Sequence, residues 1–167
     1  GGIEVRKADM STNNMLRYRY EHAATRSRAL DYRKNHPYEK FSTFNLLIRR
    51  SIFDSIRFDS RCYQYGYEDT ILGIDLMRQG VEVIHIQNPL IHTGIDSNES
   101  FISKTHKALH VLNGLDNFYQ SYIRISRFVL KFKRMHLLWL LKMASSLWSI
   151  RIQVTYAQSK GSNLQSV

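Results

Sequence analysis

The chain has 167 residues, of which 43% are hydrophobic and 23% charged, proportions ordinary for one folded domain with a real core. Its single cysteine, Cys62, excludes an intrachain disulfide and fits a reducing compartment. The net charge of +10 favours polyanions such as nucleic acid, anionic lipid or phosphorylated small molecules.

Gly1-Gly2-Ile3-Glu4-Val5 has neither an initiator Met nor the basic start and apolar run of a signal peptide, so the chain reads as a fragment or a processed product. Residues 11–34 carry a helical pattern, with Ser11 or Thr12 as N-cap and Met15, Tyr18, His22 and Thr25 at helical spacing. Asn35-His36-Pro37 ends it, because the residue before proline disfavours the helical region. Phe41 to Ile48 reads as a buried strand, and Arg49 to Phe53 turns into a short helix. Glu68 to Gln79 is a predicted amphipathic helix with Gly80 at its C-terminal end. A strand over Val81 to Ile86 follows and ends at Asn88-Pro89. Ser97 caps the next predicted helix, residues 98 to about 113. Residues 117–153 are helical in pattern and break near Arg134-Met135-His136; the polar residues 154–167 read as disordered.

Charge is unevenly spread. Residues 1–60 hold twelve Lys and Arg against seven Asp and Glu, residues 61–98 two against five, and residues 99–167 ten against two. The acidic middle block contains Tyr65-Gly66-Tyr67-Glu68-Asp69, two carboxylates at a predicted helix start. Such acids commonly do no more than complement the helix dipole. A glycine between two aromatics, however, suits a loop that approaches a ligand closely. A carboxylate there can also take a proton from a hydroxyl nucleophile. His92, after an apolar strand, fits either a polar core edge or a ligand-facing position. Asn45 can pair with backbone or with a sugar hydroxyl, and Arg49-Arg50 can be a solvated pair or a diphosphate contact.

The order and spacing of several segments resemble the C-terminal half of family 2 glycosyltransferases of the GT-A fold. These are Pro37-Tyr38, Phe41-Ser42-Thr43-Phe44-Asn45-Leu46-Leu47-Ile48-Arg49-Arg50, Phe53, Phe58-Asp59 and Tyr65-Gly66-Tyr67-Glu68-Asp69-Thr70. Gly73, Leu76, Gly80, Val83 to Pro89, His92-Thr93-Gly94 and Phe101 to Leu112 continue the match. The resemblance implies an α/β fold, the C-terminal portion of a Rossmann-like GT-A domain over residues 1–115; the basic amphipathic helical tail over 116–153 lies outside it and is read from its own residues. It implies inverting transfer of a sugar from a nucleotide-sugar donor to a saccharide or lipid-linked acceptor, in bacterial surface polysaccharide synthesis. Asp69 would be the general base and Glu68 would hold the acceptor or orient the site. Asn45, Arg49, Tyr65, Gly66 and Tyr67 would line the acceptor and donor positions. His92 would contact a Mg²⁺ or Mn²⁺ ion or the donor diphosphate. The family's Asp-x-Asp motif is missing, so the fragment alone is expected to be inactive.

The tail mixes Trp139 and Trp148 with Arg124, Arg127, Lys131, Lys133, Arg134 and Lys142. Its apolar run, Leu137 to Ile150, is shorter than the ~20 residues that span a bilayer. Residues 121–153 therefore either pack on the core or a second copy, or lie on a membrane surface. The expected location is the cytoplasm, with peripheral contact at the inner face of the membrane. The competing expectation is a non-catalytic basic module for anionic membrane or nucleic acid. The acidic middle block argues against nucleic acid as a partner.

Overall fold

The computed structural model describes residues 2–39, 41–63 and 65–148. The chain divides after Tyr119 into two compact units.

In the first unit, strand β1 (Gly2–Glu4) pairs in parallel with β2 (Pro89–Ile91), in the register Gly2 to Pro89, Ile3 to Leu90 and Glu4 to Ile91. Around this pair come helices α1 (Met15–Arg28), α2 (Leu30–Asn35), α3 (Arg50–Ser55), α4 (Glu68–Arg78) and α5 (Asn98–Gly114). Short 3-10 turns occupy Lys7–Asp9, Thr43–Asn45 and Ser60–Cys62. Helix α6 (Asn117–Tyr122) lies at the division between the units. The second unit contains α7 (Arg124–Arg134) and a further helical stretch over residues 138–148.

The expected α/β, Rossmann-like architecture is not what forms. The structure is mostly helical, and the described residues contain one sheet, of two three-residue strands. Neither segment expected to be a strand forms one, the first for a local reason and the second for want of a partner. Within 41–48, Ser42 accepts a hydrogen bond from the Phe44 amide and starts a 3-10 turn. Short polar side chains compete with ladder bonds in this way. Residues 81–86 keep a strand's alternation, with 81, 83 and 85 turned inward and 82, 84 and 86 outward, but lack a ladder partner among the described residues. The strand that does form lies just beyond, at Pro89–Ile91, where β1 supplies the partner.

Helical expectations fare better, with local breaks. The helix expected over 11–34 is two, because Ala29 adopts extended backbone (φ −58°, ψ 147°) between α1 and α2. Helix α4 ends with the Gly80 amide donating to Met77 O and the Val81 amide to Leu76 O. Gly80 supplies the left-handed turn this closure requires (φ +65°). Helix α5 begins as expected, with Ser97 Oγ accepting from the Ser100 amide. Helix α7 stops at Met135 and His136, the latter at φ +56°.

The core is built on α4. Ile71, Leu72 and Leu76 are almost wholly buried, each stabilising by roughly 1.5–3 kcal/mol relative to exposure. Leu72 and Leu76 pack with Phe41 and Ile56, and Tyr38, Ile48, Ile52, Val81 and Val83 close around them. Gly73 lets the 38–41 segment approach: a Cβ there would stand 2.8 Å from Phe41 Cβ and 3.1 Å from Tyr38 O. Buried Arg33 ties α2 to the 85–86 segment, donating to Arg28 O, to His85 Nδ1 (3.1 Å) and to Ile86 O. His85 Nε2 in turn donates to Pro37 O (2.9 Å), which leaves Nδ1 as the acceptor. His85 is thus a structural link between Arg33 and the Pro37 carbonyl.

Asn98 joins the start of α5 to the start of α1. Its side chain accepts from the Leu16 amide and donates to Thr12 O, and its amide donates to Asn13 O. One residue thereby satisfies groups left open at the beginning of a helix distant in sequence.

Candidate functional site

The two carboxylates open α4 from an unusual backbone. Gly66 (φ +116°) and Tyr67 (φ +67°) are both in the positive-φ region. For Gly66 this is free of steric penalty, whereas for Tyr67 it costs about 1 kcal/mol. The strain is sustained by packing. A Cβ on Gly66 would lie 2.5 Å from Ala108 Cβ, so the loop rests directly on α5. Glu68 Oε2 accepts from the Gly66 amide at 3.0 Å and closes the turn on itself. Non-glycine residues held at positive φ cluster at functional sites.

Asp69, one residue on, points elsewhere. Its Oδ1 accepts from the Thr43 hydroxyl at 2.5 Å. Thr43 opens the 3-10 turn Thr43–Asn45, and each of the turn's three residues makes a different long-range contact. Phe44 meets the His92 ring edge-on, with centroids 5.4 Å apart. Asn45 Nδ2 donates to Asn88 O at 2.6 Å, just before β2. One turn therefore gathers Asp69, His92 and the entry to β2, although 47 positions separate Asn45 from His92.

His92 is half-buried. Its amide donates to Glu4 O (2.8 Å), extending the pairing of β1 and β2. Its Nδ1 is buried and has no hydrogen-bond partner among the described residues. A buried ring nitrogen without a partner costs about 1–3 kcal/mol, and such an atom fits a ligand contact. It does not by itself make a metal site. Among the described residues no three His, Cys, Asp or Glu side chains gather closely enough to hold an ion. Mg²⁺ and Mn²⁺ also take chiefly oxygen ligands.

Tyr65 is exposed and Tyr67 half-buried. Lys104 Nζ lies 5.2 Å from the Tyr65 ring centroid, a cation–π contact. Tyr65 also favours the charged form of Arg17. Burial works against the Arg17 charge, but Tyr65, then Glu21 and Asp96, hold its pKa above the ordinary value. Glu21, itself buried, is paired with both Arg17 and Arg28. Asp96 takes Lys104 at 2.6 Å and Arg17 at 3.7 Å. This ionic network fixes α1 and α5 behind the Tyr65 loop. Burial raises the Tyr67 phenol above its usual range, with Tyr20 adding to the effect.

The expected site residues thus separate. Glu68, Tyr65, Gly66 and Tyr67 form one loop, and Asp69, Asn45 and His92 meet through the Thr43 turn. Arg49 stands apart, exposed at the N-cap of α3. Thr43, Phe44 and Arg17 were not foreseen. The partners that tie them to the site lie 26 or more positions away, and the one local pair, Arg17 with Glu21, marks a helix face and not a site. No helix of the described residues is long and apolar enough to cross a membrane. No protein-family model, curated protein or solved structure matches the chain.

Proposed function

We propose that the chain is the acceptor-side part of an inverting, family 2-like glycosyltransferase, acting on a nucleotide-sugar donor and a saccharide or lipid-linked acceptor. The observation that carries this reading is the Asp69 carboxylate in the first turn of α4, oriented by the Thr43 hydroxyl. The unpartnered His92 nitrogen is held by the next residue of the same turn.

In this mechanism Asp69 takes the proton of the acceptor hydroxyl as its oxygen attacks the anomeric carbon. Thr43 occupies one lobe of Oδ1 and fixes the plane of the carboxylate, so the acceptor is met without reorganisation. Glu68 acts through structure, since its carboxylate holds Gly66 in the turn that presents Tyr65 and Tyr67. Aromatic rings so presented can stack on the apolar face of a sugar. His92 donates or accepts at the donor diphosphate. A divalent cation, as expected for such an enzyme, would neutralise the leaving diphosphate. Its oxygen ligands would come from the donor and from residues beyond this set, including an Asp-x-Asp that the sequence lacks.

The test is Asp69→Asn in the enzyme joined to its donor-binding half, assayed with a panel of nucleotide sugars. Asn keeps the shape but cannot accept the proton. Turnover is expected to drop ~100-fold or more, with donor binding retained. Near-normal turnover would overturn the assignment.

A further inference from the structure

We infer that the second unit docks on an anionic lipid surface through an apolar helix face that the fold leaves turned to solvent. In α7, Ile125, Phe128, Val129 and Phe132 fall at i, i+3, i+4 and i+7, a single stripe. In a helix packed on a protein core, that stripe is the buried side. Here Phe128 is 52% exposed and Ile125 47%, while the small polar Ser126 is the buried residue of the helix. The next helical stretch repeats the arrangement. Trp139, Met143 and Leu147, spaced by four, are 55%, 55% and 64% exposed.

The flanking charge identifies the occupant. Arg124 and Lys131 border the α7 stripe on one side and Lys133 on the other, while Arg127 and Arg134 lie on the face behind it. No Asp or Glu follows Asp116 in the sequence. A second copy of the chain would bring these cations against each other, because a two-fold contact sets like patch on like patch. An anionic bilayer accepts both features together. The stripe and the tryptophans enter the headgroup boundary while the cations meet lipid phosphates. The helix then lies in the interface and does not span the bilayer. This inference stands apart from the transferase reading.

The experiment is co-sedimentation of the whole chain with vesicles of phosphatidylcholine alone or mixed with phosphatidylglycerol. Binding is expected only with phosphatidylglycerol and should weaken as salt is added. The triple variant Arg124→Glu, Arg127→Glu, Lys131→Glu should bind tenfold or more weakly. Phe128→Ser with Trp139→Ser should lose binding with every charge in place. All these residues are exposed, and far-UV circular dichroism checks that each variant is folded. Equal binding to both vesicle types, or none to either, overturns the proposal. Salt-resistant dimers abolished by Phe128→Ser also overturn it and assign the face to a second copy.

Discussion

Thr43 Oγ1 donates to Asp69 Oδ1 over 2.5 Å, a bond that joins a 3-10 turn to the first turn of a helix 26 positions away. A hydroxyl aimed at a carboxylate in this way acts as a positioning group. In the proposed enzyme, Thr43→Val keeps the shape and removes the bond. It is expected to lower kcat about fivefold, equivalent to about 1 kcal/mol, with little change in KM. Thr43→Ser, which keeps the hydroxyl, should restore most of the loss. A Thr43→Val enzyme with unchanged kcat would show that the bond serves only the fold.

Gly66 is irreplaceable for two separate reasons, its φ of +116° and the contact with Ala108. Gly66→Ala is expected to destabilise the protein by about 2 kcal/mol or more, read as a lower midpoint in urea. Adding Ala108→Gly removes the 2.5 Å clash but leaves the backbone strain. The double variant should therefore recover only part of the loss. Full recovery would mean that the backbone strain is negligible.

Cys62 lies in the turn ahead of the Tyr65 loop. Burial, reinforced by the charges of Asp59 and Glu68, pushes its thiol up to about 11. Only the thiolate is alkylated, so at pH 8 little of it is available. Its greater intrinsic nucleophilicity offsets part of this, leaving the rate with iodoacetamide roughly 20-fold below that of a free thiol. The rate should keep climbing to near pH 11 and reach the free-thiol profile in urea. A plateau near pH 8.5 in the folded protein would contradict the burial.

Two carboxylates, Asp59 and Asp96, are held below their ordinary pKa in the folded protein. Hydrogen bonds from the Arg61 side chain lead in holding Asp59 below the usual range. For Asp96 burial acts upward, but Lys104, Ser100 and Arg17 outweigh it and the net shift is again downward. A folded-state pKa below the unfolded value means stability that is complete above the ordinary Asp value of about 3.9. It is lost as pH falls through that value towards the depressed one. Urea midpoints should accordingly be flat above about pH 5 and decline below about pH 4. Asp59→Asn should lower the plateau and flatten the decline.

Helix termini were the features most legible in the sequence, because their signals are local. Ser97 and Gly80 do in the structure what those residue types do in general. The break at Ala29 was not legible, since alanine is the strongest helix former; in the structure the Arg33 side chain, five positions on, holds Arg28 O across the break. Strands were the least legible. The alternation over 81–86 is present, but a pattern does not supply a partner, and the ladder formed instead where β1 could reach. The site divides in the same way. Tyr65 to Asp69 stood out as a contiguous motif. Thr43, which orients Asp69, lay inside a segment read as a strand and has no sequence mark of its own.

The parallel pairing of Gly2–Glu4 with Pro89–Ile91 has a consequence for the order of folding. Parallel neighbours cannot be joined by a tight hairpin, and here more than eighty residues intervene. Bringing such distant ends together costs on the order of 4 kcal/mol in chain entropy, and three rungs of ladder return little against it. The pair therefore closes late, after α4 and its apolar partners have shortened the intervening path. During synthesis the first strand emerges long before its mate and waits unpaired. The turn that gathers Asp69 and His92 rests on this same strand, so completing the site depends on this long-range pairing.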